Sequence, residues 1–249
     1  MAQEWIYGFH AVEAAIREDR VIRVMLDPSR KDKRMQEFYL LAEQFHIKVE
    51  RVDSATLDQQ MPDSRHQGVL ALIEVRAPEG EEFLYKLLDE IDQAGEHPFL
   101  LILDEVQDPH NVGACLRSAE AFGVDAVIVP KDNACSLTPI VRKVSSGSSE
   151  RVPFIEVTNL SRMLEKIKAR GIWVSGLAGG GDTTIFTADF RGPLAIVMGS
   201  EGSGMRRLTE KNCDFIVKIP MEGEIESLNV SVATGVTLAE AYRQRHLGK

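Results

Sequence analysis

Three segments of this chain gather the side chains able to bind, orient or exchange protons. The first runs from Asp104 to Ala119, ending Asp108-Pro109-His110-Asn111-Val112-Gly113-Ala114-Cys115-Leu116-Arg117-Ser118-Ala119. At helical spacing Gly113 and Arg117 share a face, so a guanidinium rises beside a residue with no side chain. An arginine so placed can reach a phosphate with its planar fork. The alternative is a surface arginine lying along its helix, with Asn111 serving only as a cap. The second segment is Met198-Gly199-Ser200-Glu201-Gly202-Ser203-Gly204-Met205-Arg206-Arg207. Its glycines let the backbone approach a ligand and expose N–H groups, and Glu201 is the loop's only carboxylate; a plain tight turn is the alternative. The third is Ile219-Pro220-Met221, an acidic run over 222–226, then Ser227-Leu228-Asn229-Val230-Ser231-Val232-Ala233-Thr234-Gly235. Pro220 fixes the entry to this loop and Ser227 or Asn229 caps the helix that follows. Taken singly, none of the three names a reaction.

Other chemistries lack their residues. No GxGxxG follows a strand, and neither GxxxxGK[ST] nor HExxH occurs. Gly179-Gly180-Gly181 reads as a surface turn. The three cysteines, Cys115, Cys135 and Cys213, lack CxxC spacing and read as reduced thiols, not as a disulfide framework or a metal site.

The elements that position these segments alternate between strand and helix. Upstream, His10–Arg17 is predicted helical, Val21–Leu26 a strand, Lys33–Phe45 a helix, Ile47–Val52 and Gly68–Val75 strands. Ala77-Pro78-Glu79-Gly80-Glu81-Glu82 breaks the pattern and reads as a linker, followed by a short amphipathic helix from Phe83 to Gln93. Downstream, Phe99–Leu103, Ala126–Val129, Ile172–Ser175, Leu194–Met198 and Phe215–Ile219 are buried-type strands. Asn111–Phe122, Leu160–Ala169 and Asn229–Arg245 are helices. This predicts an α/β protein with a mostly parallel sheet covered on both faces. The expected division is a small α/β domain over 1–76, a linker and connecting helix over 77–97, and a larger domain over 98–249. The three segments fall at C-terminal ends of predicted strands, where open α/β sheets place ligands.

Composition sets broad limits. Of 249 residues 44% are hydrophobic and 27% charged, ordinary for a globular protein. No apolar run approaches the roughly 20 residues of a membrane span, and no basic stretch followed by an apolar one lies near Met1, so a cytoplasmic location is expected. The net charge of −9 argues mildly against nucleic acid. Base is nevertheless concentrated in Arg30-Lys31-Asp32-Lys33-Arg34, Arg142-Lys143 and Arg206-Arg207, each readable also as a solvated helix face.

In this order and spacing, the three segments resemble the motifs of the SpoU/TrmH family of the SPOUT superfamily, the tRNA and rRNA ribose 2′-O-methyltransferases. The first resembles the family's NxGxxxRxA motif, the second its glycine-rich motif with a central glutamate, the third its SLNVSxAxG motif. Trp5-Ile6-Tyr7-Gly8-Phe9-His10-Ala11-Val12 and His66-Gln67-Gly68-Val69 resemble the ends of the family's small N-terminal substrate-binding domain. Nearly the whole chain thus looks like the bacterial members that methylate a guanosine of 23S rRNA near the peptidyl-transferase centre.

The resemblance implies a C-terminal trefoil knot, which general topology rules would have made very rare. It also implies S-adenosyl-L-methionine as cofactor, held by Gly199, Ile219 and Leu228 largely through backbone groups. A large-subunit rRNA partner, a homodimer with the active site near its interface, and no metal or membrane partner follow as well. The implied catalytic set is Asn111, Arg117, Glu201, Ser227 and Asn229. A guanidinium is effectively always protonated, so Arg117 is expected to bind the adjacent phosphate, orient the 2′-hydroxyl and stabilise developing charge. Glu201 would orient Arg117 or accept the proton, Asn111 and Asn229 would supply directional hydrogen bonds, and Ser227 a small polar contact. The rivals are a tRNA enzyme of the same family and a non-catalytic rRNA-binding assembly factor on the same scaffold.

Overall fold

The computed structural model describes residues 3–74, 77–223 and 227–247. Val75, at the end of a predicted strand, and residues 224–226 of the acidic run lie outside them. The small N-terminal unit comprises β1 (Gln3–Tyr7), α1 (Phe9–Arg17), β2 (Val21–Leu26), α2 (Lys33–Gln44), β3 (Val49–Arg51), α3 (Ser54–Gln60) and β4 (Val69–Glu74). After α4 (Glu81–Gln93) come β5 (Phe99–Asp104), α5 (Pro109–Ala121), β6 (Ala126–Pro130), α6 (Pro139–Val144), α7 (Ser148–Arg151), β7 (Phe154–Val157) and α8 (Leu160–Ala169). The chain continues through β8 (Trp173–Leu177), β9 (Thr183–Thr184), β10 (Leu194–Gly199), α9 (Arg207–Asn212), β11 (Phe215–Lys218) and α10 (Val230–Leu247).

Two sheets result. The first has the order β1-β4-β2-β3, with β4 antiparallel to both neighbours and β2 parallel to β3. The second has the order β7-β6-β5-β10-β8-β11-β9, and each described pairing in it is parallel. Parallel strands covered on both faces must be apolar throughout, and every residue of β5, Asp104 included, is buried. Alternation sends Leu101 and Leu103 to a core shared with α5 and α10, and Leu100 and Ile102 to one shared with α4 and α8. At the sheet's centre β10 lies between β5 and β8, although Leu194 pairs with Phe99 from far upstream.

The segment read as a linker is tied down at Glu79. Its N–H donates to the Phe154 carbonyl and its own carbonyl accepts from Glu156 N–H, each at 2.9 Å. Helix α6 packs against β1 and α1 of the small unit. There Arg142, only 1% exposed, meets Glu4 of β1 at 3.4 Å and donates to Glu150 at 2.9 Å, and Arg20 also pairs with Glu150.

Candidate active site

The C-terminal ends of β5 and β10 lie side by side, with Gly199 opposite Asp104 in the register. Beyond β5 the chain turns through Glu105 (φ 60°) into α5. Asp108 caps that helix, its carboxylate accepting from His110 N–H at 3.0 Å, with Pro109 in the first turn. Asn111 is therefore not the cap that one sequence reading allowed: it lies inside the helix and is 7% exposed. Gly113 lets α5 and α6 touch, since a Cβ there would sit 2.7 Å from Val144 Cβ and 2.9 Å from the Val141 carbonyl oxygen.

Beyond β10, the glycine-rich loop closes on itself through reciprocal backbone hydrogen bonds between Ser200 and Gly204, each 3.0 Å. A Cβ on Gly199 would lie 2.2 Å from the Gly204 carbonyl carbon and the Met205 nitrogen, so no other residue fits there without opening the loop. The loop's far end is fastened to β5: Arg206 donates to the fully buried Asp104 carboxylate through its backbone N–H, at 2.9 Å, and its Nε, at 2.8 Å. Sequence reasoning placed Asp104 at the start of the first segment and Arg206 near the end of the second, but gave neither a role and did not pair them. An aspartate closing an otherwise apolar strand was the available signal.

The carboxylate of Glu201 joins all three segments. Its Oε1 accepts from Asn111 Nδ2 at 3.2 Å, from Asn229 Nδ2, and from Val230 N–H at 3.4 Å. Asn229 Nδ2 also donates to Asn111 Oδ1 at 3.0 Å. The Oδ1 of Asn229 accepts from Ser231 N–H at 2.9 Å, so this residue caps α10 while contacting both other segments. Arg117 stands apart. It is exposed, makes no hydrogen bond or ion pair among the described residues, and does not touch Glu201. Ser227 and Leu228 are exposed at the entry to α10.

A cavity of about 950 Å³ opens beside Glu201. Gly199, Ile219, Ser227, Leu228 and Asn229 line it, together with Leu177 to Gly180 and Met221. Gly179 and Gly180 form the exposed turn that the sequence predicted, and that turn is also part of the cavity wall. A second cavity of about 280 Å³, lined by Glu105, Gln107, Asp108, Asn111 and Ser203, shares Ser200, Glu201 and Val230 with the first. The smaller cavity is lined mainly by polar side chains, whereas the larger combines apolar side chains (Leu177, Ile219, Met221, Leu228), glycine backbone and a few polar groups, as in a site for an organic cofactor. Such a wall fits S-adenosyl-L-methionine, whose adenosine and methionine parts ask for backbone partners and apolar contact. Among the described residues, no group of three His, Cys, Asp or Glu side chains could hold a metal ion. Buried Cys115 and half-buried Cys213 are poor nucleophiles: burial pushes Cys115 up to about 11, and burial with the nearby Asp214 carboxylate pushes Cys213 up to about 12.

A parallel sheet with a cavity at its strand ends, where three segments meet around one carboxylate, is the ligand-binding arrangement of an open α/β fold. The chain belongs to the SpoU rRNA methylase family, whose model matches residues 98–239. A second model, for RNA 2′-O ribose methyltransferase substrate binding, matches residues 5–78. The chain is 47% identical over 246 residues to the 23S rRNA (guanosine-2′-O-)-methyltransferase RlmB of Pseudomonas putida, covering 98% of each protein. It is 49% identical over 244 residues to the same-named protein of Pseudomonas aeruginosa, covering 97% of each. The SpoU methyltransferase AviRb from Streptomyces viridochromogenes, crystallised with AdoMet, superimposes with a TM-score of 0.78 at 26% identity, covering 98% of this chain and 90% of that one.

Proposed function

We propose that this chain methylates the ribose 2′-oxygen of a guanosine in 23S rRNA, using S-adenosyl-L-methionine. The observation that carries this reading is the meeting of Asn111, Glu201 and Asn229, from three separate segments, where two cavities join, Glu201 lining both. Full-length similarity to enzymes of that name supports the substrate.

The cofactor, when bound, supplies a methyl group on a sulfonium. The chain must hold the 2′-oxygen in line with that group and receive the hydroxyl proton. Gly199, Ile219 and Leu228 hold the cofactor in the larger cavity. Glu201 has Oε1 occupied by three N–H donors, and Oε2 is the oxygen that takes the proton. Asn111 and Asn229 fix the carboxylate, and Ser227 adds a polar contact at the cavity rim. Arg117, without a hydrogen bond or ion pair among the described residues, binds the phosphate next to the target ribose and steadies charge developing on the 2′-oxygen.

The remaining elements of this proposal are a C-terminal trefoil knot, a cytoplasmic location and a homodimer. Apolar residues exposed on α10, Val232, Val236 and Tyr242, support the dimer. No helix among the described residues is long and apolar enough to cross a membrane. The decisive experiment incubates the purified chain with radiolabelled S-adenosyl-L-methionine and either 23S rRNA or tRNA, then maps the product. Label on one guanosine ribose of 23S rRNA is expected. Transfer to tRNA alone, or none despite cofactor binding, would sink the assignment.

A further inference from the structure

Helix α6 sends its two adjacent cations to opposite tasks. Arg142 is buried between the carboxylates of Glu4 and Glu150, which fixes the helix against the small domain. Lys143 emerges at the seam. Its Nζ stands 4.0 Å over the Tyr7 ring and donates to the Arg65 backbone carbonyl at 3.3 Å. Lys143 is half-buried and Arg65 exposed, and no carboxylate among the described residues pairs with either. Burial, and then the charge of Arg65, push the Lys143 ammonium below its ordinary range.

The basic cluster singled out in the sequence behaves differently. Arg30 pairs with Asp32, Lys33 with Glu37 at 3.7 Å, and Arg34 with Glu13 at 2.8 Å. Three of its cations are thus already neutralised from within the chain. In a protein of net charge −9, two neighbouring cations from different domains left without a counterion make a place where an anion is favoured.

We propose that Arg65 and Lys143 form a binding site for an RNA phosphate at the junction of the two domains, so that both domains grip one backbone segment. The inference rests on the RNA-methylating reading above. Arg30, itself paired with Asp32, braces the loop that carries Arg65, its Nη1 donating at 2.7 Å to the Gln67 carbonyl.

The test measures affinity for a 23S rRNA fragment across a salt series, for the full chain and for Arg65→Ala, Lys143→Ala and Arg65→Lys. Each alanine variant is expected to weaken binding roughly fivefold near 0.15 M salt and to reduce the slope of log affinity against log salt by about 0.7 to 0.9, one phosphate contact. Arg65→Lys should restore the slope, and S-adenosyl-L-methionine affinity should stay unchanged in all three. A wild-type chain that binds and methylates the fragment, beside alanine variants with its salt slope, overturns the phosphate site and leaves the enzyme reading intact. Weakened binding at constant slope also overturns it, since a purely structural Lys143 would behave that way. A wild-type chain that neither binds nor methylates the fragment fails at the underlying reading instead. Arg65 lies on an exposed loop, so its variants test the site even if Lys143→Ala does not fold.

Discussion

The buried carboxylate of Asp104 and the guanidinium of Arg206 tie the end of β5 to the far side of the glycine-rich loop. Besides the two bonds described above, Arg206 Nη2 lies 2.6 Å from the Asp104 carboxylate. Arg206→Ala leaves that carboxylate with only the backbone N–H. The variant should lose about 2 kcal/mol of stability, the scale of a buried charged acceptor stripped of partners. It should also bind S-adenosyl-L-methionine more weakly, because the loop loses its anchor. Thermal denaturation and calorimetric titration read the two effects; an unchanged melting temperature would contradict the anchoring role.

Gly199 offers a sharper test of the cofactor wall. With backbone atoms only 2.2 Å from any added Cβ, Gly199→Ala must push the Ser200–Gly204 turn outward. Cofactor affinity is expected to fall at least tenfold, about 1.4 kcal/mol, while the fold survives. Equal affinity in the variant would exclude this loop from the cofactor site.

Glu201→Gln keeps the shape of the carboxylate but replaces one oxygen with an N–H₂ group. If Oε2 takes the hydroxyl proton, the maximal rate should drop by about two to four orders of magnitude with little change in cofactor affinity. Single-turnover methyl transfer measures this directly, and a rate within threefold of wild type would assign the proton elsewhere.

Arg117→Ala should abolish methyl transfer and leave cofactor binding nearly intact, since the side chain touches neither Glu201 nor the cavity walls. Full activity in this variant would reject its role at the phosphate.

Thiol chemistry gives a pH test. Raised thiol pKa values mean less thiolate: Cys115, at about 11 against an ordinary 9, has its thiolate fraction at pH 8 cut about a hundredfold, with Cys213 at about 12 lower still. Alkylation at pH 8 should leave both cysteines unmodified in the folded chain and label them on denaturation. Rapid labelling of native Cys213 would show that its surroundings open.

The long central strands were readable because burial on both faces leaves an uninterrupted apolar run, and the helix over 160–169 agrees with its prediction residue for residue. Shorter pieces escaped. The α6 and α7 helices span 139–144 and 148–151; too short to show periodicity, they settle by packing on α5 and on each other, and the one local signal, Thr138 capping α6 ahead of Pro139, was overlooked. The site was legible as three segments, but not their wiring. Nothing in the spacing says that Glu201 meets two asparagines instead of Arg117, that Asp104 holds Arg206, or that Gly179 and Gly180 face a cavity.

The place of β10 between β5 and β8 bears on how the protein is made. Its partner β5 leaves the ribosome long before it, and the cavity wall runs on through β11 to Ala233 on the last helix. Parallel pairing across so much chain is slow, because the ends must meet before any contact rewards the loss of freedom. The half-finished sheet therefore carries an open β5 edge while the chain between Asp104 and Leu194 is made. Ile219 and Leu228, which we propose hold the methyl donor, follow β10 in the chain, so the donor comes too late to help close that edge.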